Sequence, residues 1–337
     1  MKFGFMVPRE SDFGDGGDPY DRIYRFCERA EELGFDFATF THHRFSPERP
    51  FLSSPFVIMS AIAAHTRRLE LVTTIFVLPL YHPLDVAEAV ASLDCVSRGR
   101  VVFGVGTGYR PYEAAAVGVR FEERVSRMTE AIEVLRLAWS DAPASFHGRH
   151  FHFDAVDVVP KPVRRPHPPI WIGALEARPV ERAGRIADGW IAPFLQTLET
   201  LGGRAELYRA SAAAHARTSL ICLERDAAVS GDRELARAAW LHRNVPLANY
   251  YRAQGAPLPD WPDASAPSWG EVAPGRAIAG TPEECIRAIE RCRDELGCEY
   301  LSLMNLGTGP GFAHAGSYEH ELRALELFGK EILPAFR

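Results

Sequence analysis

Hydrophobic residues repeat one pattern along most of the chain: a stretch with helical spacing, then a glycine, then a short apolar run. Ile23, Phe26, Ala30 and Leu33 recur at intervals of three and four residues, and Gly34 follows them. Such spacing predicts an amphipathic helix, and a glycine just after it predicts the end of that helix. The uninterrupted apolar run after the glycine predicts a strand that is buried on both faces.

The same pattern predicts eight short strands, each followed by a helix. Continuous apolar strands that alternate with helices indicate a parallel sheet. Eight such units favour an α/β fold of the (β/α)8 TIM-barrel type, formed by a single domain over residues 1–337, and a doubly wound sheet is the alternative. The predicted strands lie near residues 1–7, 35–41, 69–77, 100–105, 170–172, 189–193, 219–223 and 299–305.

Capping residues predict where several helices begin. Asp18-Pro19 and Ser54-Pro55 each place a capping side chain before a proline, and His82-Pro83 is expected to start the helix after the third strand. Thr281-Pro-Glu-Glu284 combines an N-cap, a proline and a glutamate in a capping box, which is a strong helix start. Further helices are predicted near residues 177–187, 198–214 and 318–332.

Two segments interrupt this pattern, at about residues 143–169 and 244–280. In the first, residues 146–153 alternate around a glycine and predict an inserted β-hairpin, followed by a proline-stiffened connector. The second is rich in proline, glycine and tryptophan, including Pro257, Pro259 and Trp261. A long irregular excursion after a βα unit indicates either a lid or a disordered insert, and the aromatic residues favour a lid over an apolar substrate.

The composition indicates a globular protein that acts on small molecules. The 337-residue chain is 47% hydrophobic, which is enough for a full core. Its formal net charge is −6, and no block of lysine or arginine indicates a nucleic-acid partner. No apolar run approaches ~20 residues, so no membrane span is predicted, and no signal-peptide pattern is present. Six scattered cysteines match no zinc or disulfide spacing, which is typical of reduced thiols in a cytoplasmic protein.

The first candidate for chemistry is the pair His42–His43, directly after the predicted second strand. Barrels and other α/β folds place their chemistry at the carboxyl ends of buried strands. A histidine titrates near neutral pH and can give or take a proton there. The alternative is that one imidazole faces solvent while the other satisfies a backbone carbonyl, and the pair alone favours that alternative.

Three further segments end predicted strands and leave room for a ligand. Gly104-Val-Gly-Thr-Gly108 lets a flat or anionic group approach the backbone, but it is not the full dinucleotide fingerprint. Ile172–Glu176 ends a strand in small residues just before a helix start, where free N–H groups hold phosphate, although ordinary βα turns share this pattern. Thr73 and Thr74 are polar groups inside an apolar strand, where β-branched residues are also common filler.

No metal site is predicted. His147, His150 and His152 lie on the predicted hairpin, where only His150 and His152 would share a face. No carboxylate or cysteine completes a tetrahedral set nearby. The chain also contains no nucleophile elbow, P-loop or zinc-protease motif, and no serine, cysteine or lysine stands out as a covalent catalyst.

Several motifs, taken together and in order, resemble those of the luciferase-like, flavin-dependent monooxygenase family. No single motif is specific, but their order is, and they cover most of the chain. They are Glu31-Glu-Leu-Gly-Phe-Asp36, Thr41-His-His-Arg-Phe45, the run from Thr73 to Pro83, Leu93–Arg100, Phe103–Tyr109, Glu113, Gly118, Arg124, Pro160-Lys-Pro162, Pro168–Gly173, Ala187-Asp-Gly-Trp190, Gly280-Thr-Pro-Glu283 and Leu333–Arg337.

The resemblance implies a barrel that forms a homodimer and binds reduced FMN at the carboxyl ends of its strands. In one branch of the family, the deazaflavin F420 takes the place of FMN. His42 matches the first histidine of the family's Glu-His-His motif, which is its catalytic residue, and Thr41 stands where the family has glutamate. His43 is expected to orient His42 or to support the end of the strand.

The resemblance also implies which residues line the flavin ring. Thr74 and Ile75 match the peptide under the ring, and this peptide is often cis in the family. Gly106, Thr107 and Tyr109 match a loop that lines the cofactor.

A second loop is implied to bind the cofactor phosphate. Gly173, Ala174 and Leu175 match the family's phosphate loop, where many relatives have serine or glutamate at the last two positions. Because Leu175 has no side-chain donor, backbone N–H groups and Arg178 are expected to bind the phosphate.

The implied function is an FMN-dependent monooxygenase that takes reduced FMN from a separate flavin reductase and oxygenates a small organic substrate with O2. Oxygen is expected to add at flavin C4a as a hydroperoxide, while the lid and the apolar walls exclude water. His42 is expected to act as an acid or base near its ordinary pKa. The chain has no NAD fingerprint of its own, which is consistent with a two-component system.

Two alternatives remain open at this point. An F420-dependent oxidoreductase on the same fold would transfer hydride rather than oxygen, and it would need a basic rim for the acidic tail of F420. Near the cofactor loops the sequence offers only Arg110 and Arg178 for such a rim, which favours FMN. A non-catalytic flavin-binding relative is the other alternative, and the exchange at Thr41 supports it.

Overall fold

Short strands and helices alternate through the computed structural model, which describes residues 1–8, 18–45, 54–255, 258, 260–262, 266–306 and 318–337. The strands within these residues are β1 (Lys2–Met6), β2 (Phe37–Phe40), β3 (Glu70–Thr73), β4 (Phe76–Val77), β5 (Val101–Gly106), β6 (Ala144–His147), β7 (His152–Val156), β8 (Ile170–Gly173), β9 (Gly189–Ala192), β10 (Leu220–Arg225), β11 (Ala227–Val229), β12 (Ile278–Gly280) and β13 (Tyr300–Leu303). The helices are α1 (Pro19–Leu33), α2 (Pro55–His65), α3 (Pro83–Ser97), α4 (Pro111–Ala116), α5 (Arg124–Ala138), α6 (Ala177–Ile186), α7 (Leu198–Ala214), α8 (Arg233–Ala253), α9 (Trp269–Val272), α10 (Pro282–Leu296) and α11 (Tyr318–Leu327).

The strand order is that of a (β/α)8 TIM barrel. Strands of the main sheet pair in the order β3-β2-β1-β13-β10-β9-β8-β5-β4, and β3 also pairs with β5. The two short strands β3 and β4 are one barrel strand interrupted at residues 74–75, so the sheet corresponds to eight barrel strands. The predicted fold class is confirmed, and each predicted strand overlaps one of the eight.

Local capping explains why the helices begin and end where they do. The side chain of Asp18 accepts a hydrogen bond from the N–H of Tyr20 at the start of α1, and Gly34 ends that helix with a φ of 95°. A left-handed φ of this kind favours glycine because it has no Cβ. Thr281 and Glu284 form the predicted capping box at the start of α10.

The chain divides into two compact units. Met1–Thr39 and Ala174–Arg337 form the first, here called the terminal unit, and Phe40–Gly173 form the second, here called the central unit. In the terminal unit, the ring of Phe5 contacts those of Phe26 and Phe35 at centroid distances of 5.6 and 5.5 Å.

The core of the central unit includes polar groups that are fully satisfied. Trp139 is buried, and its indole N–H donates to the carbonyl of Ala87 at 3.0 Å. The hydroxyl of Thr73 donates to the carbonyl of Gly104 at 2.7 Å. The hydrogen of this hydroxyl is therefore used between neighbouring strands.

The first predicted insertion is a hairpin, as expected. Strands β6 and β7 pair antiparallel, with His147 opposite His152. The prediction that His150 and His152 share a face is wrong, because His150 lies in the turn, where its Nε2 is 2.8 Å from the hydroxyl of Ser126. Among the described residues, no three metal-binding side chains cluster together.

The second predicted insertion begins later than the sequence suggested. Residues 244–253 belong to α8, which continues past Pro246. Trp261 and Trp269 pack against Trp240 of the same unit, at centroid distances of 6.4 and 5.7 Å. These tryptophans are therefore core residues of the terminal unit, and Pro257 and Pro259 lie outside the described residues.

No described helix combines the length and apolar character needed to cross a membrane.

Candidate active site

His42 is buried in the central unit, and both of its ring nitrogens have partners. It follows β2 and is only 2% exposed. Its Nδ1 accepts a hydrogen bond from the backbone N–H of Val77 at 3.2 Å, and its Nε2 lies 3.0 Å from the hydroxyl of Tyr81. The ring of Phe76 stacks on the imidazole at 4.6 Å with an interplanar angle of 10°.

These contacts assign the tautomer of His42. Because Nδ1 accepts from an N–H group, its lone pair must be free of a proton. The single proton of the neutral imidazole therefore sits on Nε2, which donates to the oxygen of Tyr81. A second proton, on Nδ1, would point at the N–H of Val77 and break that hydrogen bond.

Electrostatics keep His42 neutral as well. Burial lowers the pKa of His42 to about 3, and the neighbouring charges of His43 and Arg44 act in the same direction, while Glu113 opposes them. The expectation that His42 titrates near its ordinary pKa is therefore wrong. Desolvation disfavours the charged form of an imidazole, and the position of this residue after a strand does not reveal how deeply the ring is buried.

Tyr81 completes this arrangement. Its oxygen accepts from His42, so its own O–H hydrogen is directed elsewhere. Burial raises the pKa of Tyr81, with Glu113 adding to the shift and Arg44 opposing it, so the phenol is neutral. The Tyr81 ring lies 4.7 Å from the Phe76 ring, and the guanidinium of Arg44 stands 5.0 Å from its centroid. The pair thus presents one oriented hydrogen-bond donor, the Tyr81 hydroxyl.

His43 points toward a carboxylate instead of toward His42. Its Nδ1 is 3.4 Å from Oε1 of Glu113, which also accepts from the backbone N–H of Arg44 at 3.0 Å. Burial alone would raise the pKa of Glu113, but hydrogen bonds and charges from His43, Arg44 and Arg110 outweigh it and hold the pKa below its ordinary value. Glu113 is therefore a buried carboxylate ion that pairs with His43.

A bed formed by Ile75 and two glycines lies at the break between β3 and β4. The Thr74–Ile75 peptide is cis, as the resemblance implied. The Ile75 side chain packs directly over Gly106 and Gly173, where an added Cβ would come within 2.6 Å and 2.7 Å of it. The Thr74 hydroxyl oxygen is buried and has no hydrogen-bond partner among the described residues. A bed of this kind, with one unsatisfied polar atom, fits a planar ligand that carries its own hydrogen-bonding groups.

The close packing at Gly106 gives a first prediction. Gly106→Ala should lower the free energy of unfolding by about 1–3 kcal/mol, because the new methyl group overlaps Ile75. Urea unfolding measures this change. Gly203→Ala in α7, where nothing lies within 4 Å of the added Cβ, is the matched control and should be neutral or stabilising.

The unfolding free energy of a double variant tests whether the contact with Ile75 causes the loss. If the overlap causes the loss, then Gly106→Ala should cost less in an Ile75→Ala background than in the wild type. Equal costs in both backgrounds would show that Gly106 is needed for some reason other than its contact with Ile75.

The remaining predicted residues divide between the two units. Thr107 and Tyr109 follow β5 in the central unit, and the Tyr109 ring meets His43 edge to face at 5.7 Å. Ala174, Leu175 and Arg178 belong to the terminal unit.

The predicted phosphate loop is already partly hydrogen-bonded. The Ala174 N–H donates to the carbonyl of Ile191 at 3.4 Å, and the Trp190 indole N–H donates to the carbonyl of Ala174 at 2.8 Å. Arg204, which the sequence did not single out, donates to the carbonyl of Leu175 at 3.2 Å. The N–H of Ala174 is therefore not free for a phosphate, whereas the role predicted for Leu175 stays a prediction.

Three site residues were not predicted from the sequence, although they lie in motifs that were identified there. Tyr81, Arg44 and Glu113 all lie in motifs that carry the family resemblance, yet none received a role. Tyr81 directly precedes His82-Pro83, which caps α3 as predicted. Two features of the sequence could have indicated them. Tyr81 is an aromatic hydroxyl shortly after an apolar strand, and Glu113 is a carboxylate shortly after another.

The barrel carries polar side chains after its strands, at the end where TIM-barrel enzymes place their chemistry. The model of the family described as luciferase-like monooxygenase matches residues 1–299. The chain therefore belongs to this family, as the resemblance of its motifs predicted.

The similar proteins include both an F420-dependent dehydrogenase and a monooxygenase. The protein y4wF of Sinorhizobium fredii is 33% identical over 51% of this chain, which spans half of that protein's length. The F420-dependent hydroxymycolic acid dehydrogenase of Mycobacterium tuberculosis is 33% identical over 66% of this chain and 63% of its own. The monooxygenase RslO1 of Streptomyces bottropensis is 27% identical over the whole of both chains, with a TM-score of 0.84.

Proposed function

We propose that this protein is a monooxygenase that uses reduced FMN, delivered by a separate flavin reductase, and O2 to oxygenate a small organic substrate. The observation that carries the proposal is the neutral, fully hydrogen-bonded state of His42. The likeness to the monooxygenase RslO1 over the whole chain supports it.

The state of His42 matters because the rival reaction needs a base. When an alcohol loses hydride to a deazaflavin, its hydroxyl proton must pass to a basic group. The lone pair of His42 already accepts from Val77, and its pKa of about 3 makes it a poor base at neutral pH. His42 is therefore unsuited to alcohol oxidation and suited to holding a donor in place.

The residues of the central unit fit a flavin ring. Ile75, Gly106 and Gly173 would form the bed beneath it, and the Thr74 hydroxyl would gain the partner that it lacks among the described residues. When bound, reduced FMN supplies two electrons and two protons to O2. With these electrons and protons, one oxygen atom could be transferred to the substrate while the other is released as water.

Tyr81 is the proposed proton or hydrogen-bond donor to the reacting oxygen. His42 positions it by donating to its oxygen, which leaves the phenolic hydrogen available to another acceptor. Phe56, Phe76 and Phe103 form an apolar wall, in which Phe76 lies 4.9 Å from Phe56 and 5.5 Å from Phe103. Such a wall excludes water, which would otherwise divert activated oxygen to hydrogen peroxide.

Within the terminal unit, Leu175 and Arg178 are the residues proposed to bind a phosphate group, as the resemblance implied. The Leu175 N–H precedes α6, whose N-terminal end attracts anions. Arg178 lies in the first turn of that helix and is exposed. The homodimer implied by the resemblance stays a prediction.

F420-dependent hydride transfer is the second candidate function. The identity to the hydroxymycolic acid dehydrogenase favours it. In this reaction the His43–Glu113 pair, and not His42, would accept the proton, because the His43 imidazole lies 3.4 Å from a carboxylate.

Stopped-flow spectroscopy tests oxygen activation. Protein that holds reduced FMN is mixed with O2, and the flavin spectrum is followed through reoxidation. We expect a species that is spectrally distinct from reduced and oxidised FMN and that persists longer than in free FMN. Reoxidation in one step at the rate of free FMN would contradict the proposal and would favour a non-catalytic flavin-binding relative.

A further inference from the structure

A groove with a cavity volume of about 410 Å³ lies between α6 and α7 of the terminal unit. Arg178, Arg182 and Arg185 line it from α6, together with Glu181. The opposite wall is formed by α7 and the residue that follows it, and its polar side chains are those of Ser211 and His215. Of these residues, only Arg178 has a role in the proposed oxygenation, as a ligand of the cofactor phosphate, whereas Arg182 and Arg185 have none.

The three arginines form a row along one face of α6. Their spacing of four and then three residues places them on the same side of the helix, over about 10 Å of its length. Among the residues that the structure describes, none of the three forms an ion pair within 4.0 Å. Arg204 on the neighbouring helix α7, by contrast, lies 4.0 Å from Glu176.

The positive charge in the groove is not balanced. Glu181 is the one carboxylate in the lining, against three guanidinium groups. Arg182 is half-buried, and burial together with repulsion from Arg185 lowers its pKa. Like charges four residues apart destabilise a helix slightly, and a half-buried cation without a counterion costs more. A row of this kind is expected where an anion supplies the missing charge.

The neighbouring contacts hold the opposite wall in place. The Ser211 hydroxyl donates to the backbone carbonyl of Glu181 at 2.8 Å, which ties α7 to α6. The Nδ1 atom of His215 lies 2.8 Å from the carbonyl of Ser211. The groove is thus formed by two helices that are joined by a hydrogen bond at its wall.

We propose that this groove binds a small anion with two adjacent phosphate groups, held by Arg182 and Arg185. Guanidinium groups bind phosphate through paired N–H···O hydrogen bonds. One phosphate can reach one or two of the arginines, whereas two linked phosphates span more of the row. The cavity is within the range of about 300–1,000 Å³ that is typical of small-molecule sites.

Calorimetric titration of the full chain with inorganic pyrophosphate tests this site. At constant ionic strength, the wild type should bind pyrophosphate, and Arg182→Gln should bind it at least about tenfold more weakly. Arg185→Gln, a change at an exposed position, should weaken binding as well. Arg120→Gln, an exposed arginine of the central unit that pairs with Glu123, is the matched control and should bind like the wild type.

Two further measurements separate a ligand site from a structural role. Without ligand, Arg182→Gln should melt at the same temperature as the wild type or higher, because it removes an unbalanced charge. Citrate, which offers carboxylates in place of phosphates, should bind more weakly than pyrophosphate. The proposal is overturned if wild-type protein does not bind pyrophosphate, if Arg182→Gln binds it unchanged, or if citrate binds as tightly.

Discussion

Tyr81→Phe should lower the rate of substrate oxygenation by about 100-fold or more, since a positioned proton or hydrogen-bond donor contributes about 10²–10⁴-fold. The variant removes the one donor that His42 orients while keeping the ring that packs against Phe76. It also leaves the Nε2–H of His42 without its partner, so the free energy of unfolding should fall by about 1 kcal/mol. Turnover with saturating reduced FMN, together with urea unfolding, measures both effects.

The control for this change is Tyr208→Phe. Tyr208 is a fully buried tyrosine of the terminal unit, and its hydroxyl has no hydrogen-bond partner among the described residues. Its loss should leave the oxygenation rate near that of the wild type. If Tyr81→Phe retained full turnover, Tyr81 would have only a structural role, and the proposed function of the His42–Tyr81 pair would be wrong.

Acidification should destabilise the protein through His42. The pKa of this residue is about 3 in the folded state and near 6.5 when it is exposed, so the unfolded chain binds the proton more tightly. The stability that results is complete above pH 6.5 and is lost as the pH falls from 6.5 toward 3. Between pH 7 and pH 4 this single group should remove about 3 kcal/mol from the free energy of unfolding.

His42→Gln isolates this contribution, because glutamine does not titrate and can still donate to Tyr81. Urea unfolding at several pH values should give a flatter profile for His42→Gln than for the wild type. His152→Gln, on the exposed strand β7, is the matched control and should keep the wild-type profile. Parallel profiles for His42→Gln and the wild type would mean that His42 is not held neutral in the folded protein.

The sequence predicted the barrel well because its signals are local. Apolar runs, glycines such as Gly34 and the capping box at Thr281 act within a few residues, and each of these elements appears where the pattern predicted it. The family resemblance likewise pointed to the cis peptide at Thr74 and to the glycines beneath Ile75.

What the sequence did not predict depends on contacts between distant residues. The tautomer of His42 is set by Val77 and Tyr81, which lie 35 and 39 residues further along the chain. The partner of His43 is Glu113, from the start of α4. No local pattern reports how deeply an imidazole is buried, and so its pKa was expected to be ordinary.

Helix α8 is a part of the fold that was also not predicted, because it depends on contacts between distant residues. Proline in the interior of a helix costs about 3 kcal/mol, and α8 nevertheless contains Pro246 in a segment that was predicted to be irregular. The structure continues the helix to Ala253 because its buried face, with Trp240, Leu247 and Ala248, packs into the core of the terminal unit. Tertiary packing thus outweighs the local preference, and the tryptophans expected in a lid belong to this core.

The choice of cofactor is the central claim, and equilibrium binding under nitrogen tests it most directly. Reduced FMN and F420, in its oxidised and reduced forms, are titrated separately into the same preparation, with Gly106→Ala as a variant of the proposed bed. We predict that reduced FMN binds at least about tenfold more tightly than either form of F420, a difference of about 1.4 kcal/mol. Tighter binding of F420 would contradict the account and would make this protein a hydride-transfer enzyme.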